Sequence, residues 1–275
     1  MFSLKNISSL VLIALLSACG GSTGFPPVVT AVKVQSLQYG RTATIYIGGK
    51  DLRSSVVVET NGACTEPSFA SNSSTDTLVL NCKVKQVGDW PMVIKSAEGN
   101  LIHSSTLNVP LPQVTMVTSA GNITMELNPN VAPVTVGNFL DYVNTGYYRS
   151  TLFHRVIAGF MIQGGGYTTG MARKPGQFSP IVLESNKGLS NLRGTVAMAR
   201  TNVANSATSE FFINLVDNTF LDYKNEGSPG YAVFGNVLQG LDVVDAIATK
   251  QTGVLNGFSD VPLEDVTITF ALQSK

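Results

Sequence analysis

Short runs of β-branched and aromatic residues, broken by Gly, Asn, Asp or Pro about every ten residues, occupy this chain from residue 28 to its end. Helical spacing surfaces in two places. Val136, Phe139, Leu140 and Val143 fall on one face of 134–145, which Gly146 ends, and 240–249 carries the second pattern. A chain of many short strands must cover or abolish their edges. It can stack them as a sandwich or close a sheet on itself. Both solutions are expected here, one after the other, in a mainly β chain.

In the first region the expected strands are 31–37, 42–47, 55–59, 77–83, 90–96 and 104–109. Gly48-Gly49, Asn61-Gly62, Gly88-Asp89 and Gly99-Asn100 are read as turns between them. This rhythm predicts a small antiparallel sandwich over 31–110. The stretch A-T-I-Y-I-G-G-K-D-L from Ala43 is similar to the early strands of an immunoglobulin-like domain of the transcription-factor/plexin type. Trp90 is expected in its core. Asp51, Glu59, Glu66, Asp76, Asp89 and Glu98 are scattered at strand ends and turns, so no catalytic cluster forms. The region reads as a spacer or a protein-binding module. Pro110-Leu111-Pro112 is read as a stiff boundary.

The second region, 113–275, is the size of one domain. Strands are expected at 114–118, 121–127, 194–200, 210–215, 231–237 and 266–272, with the two helices between them. Many strands and two helices predict a closed barrel capped at its ends.

The N-terminus has its own signature. Lys5, an apolar run from Leu10 to Leu16 and then Ser17-Ala18-Cys19 describe a secretory signal too short to span a bilayer as a mature helix. Cysteine after Leu-Ser-Ala resembles the lipobox of bacterial lipoproteins. That resemblance implies a signal peptide at 1–18 and lipidation of Cys19, which would hold the chain in a membrane. An ordinary signal with a coincidental cysteine is the alternative. Gly20 rather than Asp after the cysteine implies, by the enterobacterial pattern, the outer membrane, with the protein facing the periplasm. Residues 19–30, small and Pro-containing, read as a flexible tether. In an oxidising compartment the remaining cysteines, Cys64 and Cys82, are expected to form a disulfide stapling one sheet edge, with Cys64 in a loop and Cys82 ending a strand. Two buried thiols are the alternative. Eighteen basic and eighteen acidic residues give no net charge, and no Lys/Arg block exists, so nucleic-acid binding has no electrostatic footprint. His103 and His154 lack metal-ligand spacing, so no metal site is expected.

One segment demands explanation. F-H-R-V-I-A-G-F-M-I-Q-G-G-G, from Phe153 to Gly166, sets one cation, Arg155, in an apolar run. A guanidinium against apolar surface is costly because its charge loses water. Either Arg155 snorkels to solvent from a strand, or the run walls an apolar pocket with one strong donor.

Further blocks follow in order: R-G-T-V-A-M-A-R-T from Arg193, A-T-S-E-F-F-I-N from Ala207, and F-L-D-Y and Y-A-V-F-G from Phe220 and Tyr231. Together with A-P-V-T-V-G-N-F-L from Ala132, they resemble a cyclophilin, a peptidyl-prolyl cis/trans isomerase, of the bacterial periplasmic branch. The resemblance covers essentially all of 113–275 and implies an eight-stranded closed barrel with no cofactor. It places Arg155 on the catalytic arginine and Gln163 on the amide that helps hold that arginine and the substrate backbone. Phe160, Met161, Phe212 and Leu221 fall on the proline pocket, and Ala199, Arg200 and Thr201 on the strand that pairs with substrate backbone. Tyr231 stands where many eukaryotic members have histidine. Phe220 replaces a tryptophan, which implies a weak hold on cyclosporin. Glu210 replaces a frequent glutamine, and its charge is expected near Arg155, at the pocket rim. His154 has no nucleophile motif beside it and reads as structural. The expected function is an isomerase (EC 5.2.1.8) assisting folding of exported proteins through their proline-containing segments. The alternatives are a proline-binding module or chaperone with incidental turnover, and a surface adhesin built on the sandwich.

Overall fold

The computed structural model describes residues 26–52 and 56–275. The signal peptide, Cys19 and most of the tether lie outside the described residues.

Seven strands make the N-terminal unit: β1 (Val28–Gln35), β2 (Thr42–Lys50), β3 (Val56–Glu59), β4 (Cys64–Phe69), β5 (Thr77–Val84), β6 (Gly88–Ser96) and β7 (Leu101–Val109). They form two antiparallel sheets, β1-β2-β5-β4 and β3-β6-β7. Alternate residues Ala43, Ile45 and Ile47 of β2 face Met92 and Ile94 of β6 in a shared core. Three readings need correction. Gly48-Gly49 and Gly88-Asp89 lie inside β2 and β6 rather than in turns. Cys64 opens strand β4, which sequence pattern missed. That edge strand is polar, and Pro67 and the positive φ of Glu66 sit in its bulge, where a proline does not break the ladder. The Cys64–Cys82 disulfide joins β4 to β5, with 5.3 Å between the Cα atoms. Trp90 is half-buried at the core margin, its indole donating to the Val87 carbonyl.

Residues 113–275 contain β8 (Gln113–Thr118), β9 (Gly121–Leu127), α1 (Pro133–Asn144), β10 (Thr151–Ile157), β11 (Met161–Gly164), β12 (Tyr167–Thr168), β13 (Ala172–Arg173), β14 (Thr195–Met198) and β15 (Phe211–Asn214). β16 (Val233–Gln239), α2 (Leu241–Ala248), β17 (Thr252–Leu255), β18 (Phe258–Pro262) and β19 (Thr267–Gln273) complete them. Eight strands close into an antiparallel barrel in the order β10-β11-β15-β14-β16-β9-β8-β19. The expected strand pattern holds with ends shifted by a residue or two.

Inside the barrel, Phe139 of α1 meets Tyr148, Phe211 and Phe234 with ring centroids 5.0–5.6 Å apart. α2 buries Val244 and Ile247. Gly146, at φ +72, ends α1 as expected: its N–H bonds the Val143 carbonyl, and the Tyr147 N–H bonds that of Tyr142. The other end of α1 has no local cap. Glu184, buried and fifty residues away, accepts from the N–H groups of Val134 and Thr135 and from the Thr135 hydroxyl.

Candidate active site

The strand pairing explains why the site forms on the outside of the barrel wall. Arg155 of β10 lies opposite Gln163 of β11, Gln163 opposite Phe212 of β15, and Phe212 opposite Ala197 of β14. Side chains alternate across a sheet, so this row shares one face. Phe211 and Ile213, the neighbours of Phe212, point into the core. A second, smaller apolar cluster results, with Met161, Ala197, Ala199, Phe212 and Val233 at its heart and Phe160, Leu221 and Tyr231 packed on it. A bulge between Phe153 and Arg155 breaks the strict alternation, so that consecutive residues Phe153 and His154 are both buried while Arg155 reaches the cleft.

The cleft measures about 310 Å³. Of the residues singled out in sequence, Arg155, Phe160, Met161, Gln163, Ala199, Arg200, Glu210, Phe212, Leu221 and Tyr231 line it. Phe220 and Thr201 do not. Phe220 is exposed and stacks on the outer side of Phe160 at 5.8 Å. The Thr201 N–H is committed to the Ser206 hydroxyl at 2.9 Å. Arg200 lies over the Tyr231 ring at 4.6 Å and donates to the carbonyls of Gly230 and Thr201.

The pocket walls are tied from behind. Asn218 donates from its amide to the Phe160 carbonyl at 2.9 Å, and its own carbonyl accepts from the Leu221 N–H at 2.8 Å. Tyr231 N–H donates to the Leu221 carbonyl at 2.9 Å. One buried asparagine thereby sets the spacing of two pocket walls. Asp222, next to Leu221, accepts from Ser190 and Asn191. Partial burial pushes its carboxyl up, but those bonds prevail and hold it below the usual range.

Glu210, expected to bring its charge near Arg155, makes its contacts with other residues. Its Oε2 accepts from the Gln163 amide at 2.8 Å and lies 3.3 Å from His154 Nε2. Burial raises the Glu210 carboxyl, but the bond and charge of His154, with Gln163 and Arg173, outweigh it and leave the group below its ordinary value. Gly166 makes room: a Cβ there would sit 2.6 Å from the Glu210 side chain. With its N–H committed to Glu210, Gln163 can turn its carbonyl to the cleft. His154 is buried under the Tyr167 ring at 4.7 Å, consistent with a structural role.

Sequence reading missed the wall formed by Tyr167, Met171, Phe258 and Ser259. Phe258 and Ser259 belong to the β17–β18 hairpin. Its signal was present: Asn256-Gly257 between apolar residues is a strong hairpin marker, and both take positive φ, 50° and 84°. No group of His, Cys, Asp or Glu suited to hold a metal occurs among the described residues.

An apolar cleft with the guanidinium groups of Arg155 and Arg200 at its walls thus lies on the outside of a closed eight-stranded barrel. Residues 113–271 match the model of the cyclophilin type peptidyl-prolyl cis-trans isomerase family, and the chain belongs to that family. Its activity is accordingly peptidyl-prolyl cis-trans isomerisation. It is 49% identical over 158 residues to peptidyl-prolyl cis-trans isomerase A of Dickeya dadantii, covering 58% of this chain and 82% of that one. Isomerase cyp18 of Streptomyces antibioticus is 53% identical over 160 residues, covering 58% and 96%. Isomerase B of Escherichia coli is 52% identical over 157 residues, covering 56% and 95%. The family match starts at residue 113, so the sandwich lies outside it.

Proposed function

We propose that Arg155 is the catalytic donor of this isomerase, and that the enzyme acts outside the cytoplasm, lipid-anchored through Cys19, on proline-containing segments of exported proteins. The observation that carries the catalytic reading is the row Arg155–Gln163–Phe212, which sets one guanidinium beside an apolar seat.

Rotation about a prolyl bond is slow because the nitrogen lone pair is shared with the carbonyl, a barrier of about 18–20 kcal/mol. Phe160, Met161, Phe212 and Leu221 hold the ring while the bond twists. As the nitrogen pyramidalises its lone pair localises, and Arg155 donates to it. The donor stabilises the twisted state more than either planar one, which is what lowers the barrier. Gln163, Ala199 and Arg200 hold the substrate backbone. No bond is made or broken.

The secretory leader and Cys19 support export, and the sandwich, similar to an immunoglobulin-like domain, supplies a spacer or a partner-binding face. Arg155→Ala is expected to lower kcat/KM by roughly two orders of magnitude or more with an unchanged circular dichroism spectrum. Full activity in that variant would refute the mechanism and favour a binding module whose turnover is incidental.

A further inference from the structure

We propose that Asp260 is a positioning residue for Arg155, which holds the guanidinium in its working direction from outside the barrel. The inference rests on Arg155 as the catalytic donor. Asp260 comes from β18, in the hairpin that packs along β10, the strand bearing Arg155. Its Oδ2 lies 3.7 Å from Arg155 Nε, and it is the one carboxylate at ion-pair distance from that guanidinium among the described residues. Glu210 cannot serve, since His154 and Gln163 occupy it.

The contact is made through Nε, so both terminal nitrogens stay free to donate into the cleft. A long side chain with several free torsions is otherwise misdirected much of the time. Both side chains are about two-fifths exposed, 43% and 40%. At that separation the contact is an electrostatic tether rather than a hydrogen bond, and salt screens it. The backbone of Asp260 is at φ +60, a left-handed conformation that Asp, Asn and Gly tolerate better than other residues. Asp260→Asn and Asp260→Gly therefore remove the charge without forcing the hairpin to move.

The test is a prolyl-isomerisation assay on the full chain, beside Arg155→Ala. Both Asp260 variants should lose about two- to fivefold in kcat with KM little changed, the range of a half-exposed ion pair. Wild-type kcat should fall toward theirs between roughly 0.02 and 0.5 M salt, while theirs should not respond. Exchange of the Arg155 Nε–H, followed by NMR, should be faster in Asp260→Asn. Collapse of Arg155→Ala with an unaffected or faster Asp260→Asn overturns this inference alone. Full activity of Arg155→Ala overturns the catalytic reading and this inference together.

Discussion

Glu210 shows how one residue changes meaning between sequence and structure. In sequence it stands near Arg155 as a second charge. In the folded chain it turns away, to His154 and Gln163. Neutralising it should therefore alter catalysis modestly, and Glu210→Gln should stay within about tenfold of wild-type turnover. Its larger effect should be on stability. Because the folded carboxyl lies below its ordinary value, its stabilising contribution is present above the usual glutamate range and is lost as pH falls through the folded value. Thermal melts from pH 7 to about pH 3 should show wild type losing more stability than Glu210→Gln. Parallel curves would contradict this account. That Arg155, Gln163 and Phe212 belong together at one cleft was legible because each sits in a distinctive block. Their partners were not, because a side chain's direction depends on bulges such as the one beside His154, which period-two alternation does not report.

Among the elements, α1 separates what is local from what is not. Its apolar stripe, Pro133 at its start and Gly146 beyond its end are local signals, and the helix spans 133–144 against the 134–145 expected. Its N-terminal cap is not local, since the Ala132 methyl offers no acceptor and Glu184 supplies the acceptors. Losing a buried, charged acceptor leaves helix donors unpaired, so Glu184→Ala should cost about 1–3 kcal/mol. Chemical denaturation would read this as a lower midpoint with an unchanged slope, and an unmoved midpoint would discount the cap. Glu184→Gln should recover part of the loss, since it keeps one acceptor. Strands with alternating apolar residues, such as β9, were legible to the residue. β4 was not, because disulfide and bulge, rather than apolar pattern, hold it at the sheet edge. The β17–β18 hairpin was legible in its turn and invisible in its use, for nothing local says that it lies along β10.

For the whole molecule, the two units share one continuous core, and the sandwich docks on the barrel at the C-terminal end of α1 and at β19. Arg41 donates to Asn144 at the end of α1 and to Gln273 of β19, while Gln273 donates to the Tyr39 carbonyl. Helix α1 and strand β19 take this contact, and β10, the strand bearing Arg155, is the barrel neighbour of β19. A lipid on Cys19, as proposed above, would tether the enzyme through its N-terminal side. Cys19→Ser should therefore move the enzyme from the membrane fraction to the soluble fraction, with its isomerase activity intact. Continued membrane association of that variant would rule out the lipid anchor. The sequence by itself determined a mainly β chain, the barrel's two helices, and an isomerase family written in ordered blocks. These features are local, carried by periodicity, turn chemistry and motif spacing. Only the tertiary structure decided that Glu210 answers to His154 and Gln163, that Glu184 caps α1, and that Asp260 faces Arg155. Each joins residues far apart in the chain, and only closure of the barrel brings them within reach of one another's charge.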